Sequence, residues 1–261
     1  SMRYYDTTVV RIPAAALSTE DAMMLHRMHD RGERPRVRLV MGGRTLPDAQ
    51  SRNVVAEIVG REKPDEVVVI SGHLDSWDVG TGAMDDAGGS VAAWEAVRLM
   101  QRLGLRPRRT VRVVLWTNEE NGLRGATTYR DTHRAQLDRH MLAIESDGGV
   151  FRPLGFRFQG SAEGLAMMQQ VARLLEPIGA GRMVAGPGDA DVGPMIALGV
   201  PGLGLDVDAT KYFWYHHSDA DTLDKLDPQE FAKCVAAMAV AAYVVADMPG
   251  TLPRQVPAPA S

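Results

Sequence analysis

Four short stretches of this 261-residue chain hold the side chains that can do chemistry. The first runs Ser71-Gly72-His73-Leu74-Asp75, then crosses a glycine-rich loop to Asp85-Asp86. The second is Asn118-Glu119-Glu120-Asn121-Gly122, the third Ser146-Asp147-Gly148-Gly149, and the fourth Tyr215-His216-His217-Ser218-Asp219-Ala220-Asp221. Taken singly, an Asp or Glu in such a loop is a turn former or a helix cap. Taken together, His73, Asp85, Glu120, Asp147 and His217 form a different pattern. Carboxylates packed at one place repel and must take up protons unless a cation neutralises them. With Glu119 added, two divalent ions balance the four acids. Imidazole and carboxylate ligands without thiolates suit zinc, with cobalt or manganese as substitutes. A single cysteine, Cys234, excludes both a thiolate cluster and an internal disulfide framework.

The residue types suggest a division of labour. A carboxylate has two oxygens and can bridge two ions, and Asp85 sits in a loop open to close approach. In His73-x-Asp75, an extended segment puts both side chains on one side, so Asp75 is expected to accept the other ring N–H. Adjacent Glu119 and Glu120 cannot both do the same job. One can bind metal while the other takes a proton from a metal-acidified water.

Positioning these residues requires strand ends. Residues 54–58, 66–70, 111–117, 141–145 and 202–205 read as strands, being short and rich in branched apolar residues. Residues 88–102, 122–137, 161–175 and 195–198 read as helices, with Ser161 as an N-cap. Phe231, Val235, Met238, Ala239, Ala242 and Val245 recur at helical spacing, behind an Asp227 N-cap and a first-turn Pro228. Strands alternating with helices predict a three-layer α/β/α sandwich with a mixed, mostly parallel central sheet. In such sheets chemistry gathers at the carboxyl ends of the strands.

Composition narrows the rest. A hydrophobic fraction of 45% and a charged fraction of 24% are ordinary globular values. A formal charge of −4 argues against a nucleic-acid partner. No apolar run is read as long enough to span a bilayer, so no membrane partner is expected. His26, His133 and His140 read as surface residues. Trp77 and the run 212–215 read as core packing.

The strings GHLDSWDVGTGAMDD, LWTNEENG, ESDGG and YHHSDADT resemble the co-catalytic dinuclear zinc exopeptidases, and among these the carboxypeptidase Q group. The resemblance covers about residues 12–252. It implies that His73, Asp85 and Asp147 hold one zinc and that Asp85, Glu120 and His217 hold the other, with Asp85 bridging. It implies Glu119 as general base and acid, Asp75 as the orienter of His73, and a cis Asp85–Asp86 bond. The family's ligand histidine stands four positions before an acid followed by Thr; His217…Asp221-Thr222 fits and His216 does not, which leaves His216 as a pocket residue. The implied reaction is hydrolysis of dipeptides or short peptides through a metal-activated water. The alternatives are a single-zinc acyl transfer like that of glutaminyl cyclases, or an inactive metal-binding remnant. The resemblance further implies secretion or a periplasmic location, and pairing into a homodimer. Residues 1–50 resemble only the end of an inserted protease-associated domain, residues 51–248 the catalytic domain, and residues 249–261 a Pro-rich tail.

Overall fold

The structure is a computed structural model that describes residues 8–10 and 12–254. The chain divides into two units, Ser1–Gln50 and Ser51–Ser261. In the first, helix α1 (Thr19–Asp30) opens on Ser18, whose hydroxyl accepts the Asp21 amide, and it buries none of its residues. No element was expected from the sequence in residues 1–50. The signature of α1 is local: an N-cap serine, Glu20 and Asp21 in the first turn, Arg27 and His29 in the last.

The second unit is built on seven strands: β1 (Val54–Ile58), β2 (Lys63–His73), β3 (Arg109–Trp116), β4 (His140–Glu145), β5 (Pro153–Gln159), β6 (Arg182–Ala185) and β7 (Gly202–Val207). They lie in the order β1-β3-β2-β4-β7-β5-β6. β3, β2, β4 and β7 run parallel, while β1 and β5 run antiparallel to their neighbours β3 and β7. The helices are α2 (Gly88–Arg102), α3 (Arg124–Thr132), α4 (Ala162–Ala172), α5 (Gly193–Ile196) and α6 (Pro228–Asp247).

Period-two alternation sorts the core into two layers. Val68 and Ile70 of β2 face one apolar cluster with residues of α2, α4 and α6. Val67 and Val69 face the other, with Ala126 and Tyr129 of α3 and Met195 of α5. The sandwich is therefore three-layered and the sheet mixed. From β2 the chain crosses to β3 on one side and from there to β4 on the other. The loops after β2, β3 and β4 thus diverge around one switch point, where a crevice forms.

Several expected bounds move. β2 runs on to His73, so that imidazole stands on the strand's last residue. The expected helix at 122–137 begins only at Arg124, because Leu123 takes a left-handed φ of 57°, and it gives way to a 3₁₀ turn at Arg134–Arg139. β5 and β6 were not anticipated. By length and composition α6 could cross a bilayer, contrary to the sequence reading. Half of that apolar stretch is buried, and Cys234, Val235, Met238 and Ala242 belong to the core cluster on one sheet face. Of the Pro-rich tail, residues 255–261 lie outside the described residues. The part before them packs: Leu252 is buried, and Arg254 Nη2 donates to the carbonyls of Leu137, Asp138 and His140.

His140 is buried, not on the surface. Its Nδ1–H donates to the Gln136 carbonyl at 3.0 Å, which leaves Nε2 to accept the Tyr129 hydroxyl at 3.0 Å. Burial pushes its pKa down to about 4.

Candidate metal centre

His73 closes β2 with its side chain buried. Its amide donates to Asp86 Oδ2 at 2.9 Å, and its carbonyl accepts Ser90 Oγ at 2.8 Å, which ties the strand end to the start of α2. The approach is close: a Cβ on Gly89 would collide with the Ser146 carbonyl and the Asp86 carboxylate, so only glycine fits. His73 Nδ1–H donates to the Asp75 carbonyl at 2.9 Å. That bond fixes the tautomer and turns Nε2 toward Asp85 Oδ1 at 3.1 Å and Asp147 Oδ1 at 3.2 Å.

The expected Asp75–His73 link therefore needs correction. It runs through the Asp75 main-chain carbonyl; the carboxylate stands 3.9 Å from Nδ1. The chain bends at Leu74 and is no longer extended, so the two side chains do not align. The Asp75 carboxylate instead crosses to the loop after β3 and accepts the amides of Glu119 at 3.0 Å and Glu120 at 3.3 Å.

Asp85 lies in the turn Ala83–Ala87 just before α2, and its peptide bond to Asp86 is cis. Its amide and that of Met84 donate to the buried Asp221 carboxylate, at 3.1 and 2.6 Å. With its backbone so held, Asp85 splits its oxygens. Oδ1 faces His73. Oδ2 lies 3.2 Å from His217 Nε2 and 3.4 Å from His216 Nε2. His217 Nε2 also meets Glu120 Oε2 at 2.9 Å. Glu120 Oε2 accepts the indole N–H of Trp77 at 2.8 Å. Trp77 is 49% exposed, and Phe213 and Trp214 are also exposed, so of the aromatics expected in the core Tyr212 is the buried one.

All of His73, Asp75, Asp85, Glu119, Glu120, Asp147 and His217 thus meet at one edge of the sheet. The sequence reading passed over two residues that hold them there, Asp86 and Asp221. Asp86 caps the Gly89 amide at 3.1 Å and adjoins Asp85; Asp221 served only as a spacing mark. It also passed over two buried acids beneath the site, Glu145 and Asp191.

The electrostatics carry one message. Burial, then the charge of Asp147, pushes Glu119 up to about 7; burial, then Asp85, pushes Glu120 up to about 8. Burial likewise lifts Asp191 to about 8. Burial opposes a charge on His73, but its carboxylate partners outweigh that and hold its pKa far above the ordinary value. The buried oxygens Asp85 Oδ2 and Glu120 Oε1 have no hydrogen-bond donor. Acids this crowded, with unserved lone pairs, fit cations. Two candidate sets are His73 with Asp85 and Asp147, and Asp85 with His216 and His217; a third group joins His73, Glu119 and Glu120.

Residues 53–242 match Peptidase family M28. Carboxypeptidase Q from Xenopus laevis is 48% identical over 97% of the chain and 54% of its own length. The human carboxypeptidase Q is 46% identical over 96% and 53%. The chain therefore spans about half the length of these curated relatives. A crystal structure of a peptidase M28 precursor from Shewanella amazonensis superposes with a TM-score of 0.88 at 36% identity, covering 98% of this chain and 58% of that one. A zinc aminopeptidase from Bacillus subtilis shares the fold at a TM-score of 0.63 and 17% identity, over 77% of this chain and 51% of that one.

Proposed function

The chain belongs to peptidase family M28, and from that premise we propose that it hydrolyses dipeptides or short peptides with two zinc ions. One observation carries the reading: Asp85 presents Oδ1 to one donor set and Oδ2 to another. His73, Asp85 and Asp147 would hold one ion; Asp85, Glu120 and His217 would hold the second. When bound, zinc supplies Lewis acidity, polarising the scissile carbonyl and lowering the pKa of water. The names of the relatives, a carboxypeptidase and a zinc aminopeptidase, support both the metal and the reaction class.

The protein's own groups then divide the work. The Asp75 carbonyl holds His73 in the tautomer whose Nε2 lone pair faces Asp85 and Asp147. The Asp75 carboxylate fixes the Glu119 amide, and with it the side chain that takes the proton from water and returns it to the leaving amine. Trp77 holds Glu120 from the open side, which orients a ligand whose other oxygen is buried.

The partner is a peptide, and two copies of the chain pair, as the family resemblance implies; a monomer in sedimentation velocity at micromolar concentration would remove that pairing. Substrate chemistry is tested with the zinc-loaded chain and unblocked, N-blocked and C-amidated dipeptides. Hydrolysis of the unblocked members is expected, and the blocked pair reports which terminus is read. No turnover on any member would contradict the proposal.

A further inference from the structure

We propose that His216 contacts the substrate, donating Nε2–H to the oxygen of the scissile carbonyl, while His217 beside it serves the metal; this rests on the peptidase reading above. Side chains of consecutive residues ordinarily diverge. Here they do not. His217 takes a left-handed φ of 55°, a conformation uncommon for a residue with a Cβ. The turn stacks the two imidazoles with centroids 3.5 Å apart and planes 21° apart. Both Nε2 atoms then address the same oxygen, Asp85 Oδ2, at 3.2 Å from His217 and 3.4 Å from His216. Two imidazoles at one carboxylate oxygen is more than a ligand set with Glu120 and Asp85 requires.

Their surroundings distinguish the two rings. His217 has a second acidic neighbour, Glu120 Oε2 at 2.9 Å, and so sits between two carboxylates as a ligand does. His216 meets the buried ring of Tyr212 at 4.9 Å, which holds it from the protein side, and the exposed ring of Phe213 at 5.4 Å. Both rings keep an open edge, with 26% of the side-chain surface exposed for His216 and 34% for His217, so it is the missing second carboxylate that sets His216 apart. A ring held by Tyr212, with an N–H beside the bridging carboxylate and an edge open to solvent, is preorganised for a group arriving from outside. A peptide carbonyl polarised at this centre gains negative charge as it reacts, and a fixed N–H donor stabilises that charge.

The test uses two variants of the zinc-loaded chain. His216→Phe keeps a ring to stack on His217 but removes the N–H; His216→Gln restores a side-chain N–H. Zinc content, melting temperature, kcat and KM on an unblocked dipeptide, and calorimetric affinity for leucine hydroxamate are measured. Zinc content and melting temperature should match the wild type in both. In His216→Phe, kcat/KM should fall roughly 100-fold, mostly in kcat, and hydroxamate affinity about tenfold. His216→Gln should recover part of each. Loss of one zinc equivalent in His216→Phe would make His216 a ligand and overturn the proposal. Wild-type kcat/KM and hydroxamate affinity in that variant would overturn it as well. If the wild type hydrolyses no peptide, the functional reading falls, while the hydroxamate measurement still decides on His216.

Discussion

Asp85 has two oxygens, and the site uses them separately. One faces His73 and the other His217, so a single side chain joins what would otherwise be two independent clusters. Glu119 is different in kind. Its amide is pinned by Asp75, and it belongs to neither of the two proposed ligand sets, which leaves its carboxylate to move a proton. Glu119→Gln should therefore keep its zinc yet lose turnover by roughly 10²–10⁴-fold; dipeptide hydrolysis at the wild-type rate would remove Glu119 as the base. At this scale the sequence was most legible for residues that act chemically. His73, Asp85, Glu120, Asp147 and His217 announce themselves by type and by their place after strands. Asp86 and Asp221 do not, because they hold backbone amides, and many buried acids do that without a site nearby. The Asp75 carboxylate was misplaced because the bend at Leu74 decides where it points, and side-chain spacing says nothing of a bend.

The elements convert these residues into a site. β2, β3 and β4 end together, and the start of α2 packs onto the end of β2 through Gly89 and Asp86. The loop bearing Asp85 is held from across the fold by Asp221, which accepts two buried amides. Asp221→Ala leaves those donors without an acceptor. It should lower stability by roughly 2–3 kcal/mol and weaken zinc binding, read by urea unfolding and zinc titration; unchanged values in both would mean the loop is held by other contacts. The parallel strands were legible because strands buried on both faces are continuous apolar runs. β5 was not, because Pro153 and Gly155 break its pattern, although Phe156 and Phe158 alternate inward around Arg157. β6 has four residues, too few for a period to show.

The formal charge of −4 describes the molecule as a whole poorly, since much of the acidity is concentrated at one sheet edge. On the other sheet face from α2 and α6, His140 gives stability its own pH dependence. In the fold it stays neutral down to about 4, whereas an unfolded histidine titrates near 6.5. Between those values the unfolded chain binds a proton that the folded chain refuses, so stability falls as the pH drops. The loss from this group should reach about 3 kcal/mol by pH 4. His140→Gln should flatten that part of the urea-unfolding profile between pH 6.5 and 4, and an unaltered slope would exclude His140 as its source. The proposed chemistry depends on a bridged pair of cations. Its most direct test is native mass spectrometry of the zinc-loaded, desalted chain: two zinc ions per chain are predicted, and one or none would contradict it.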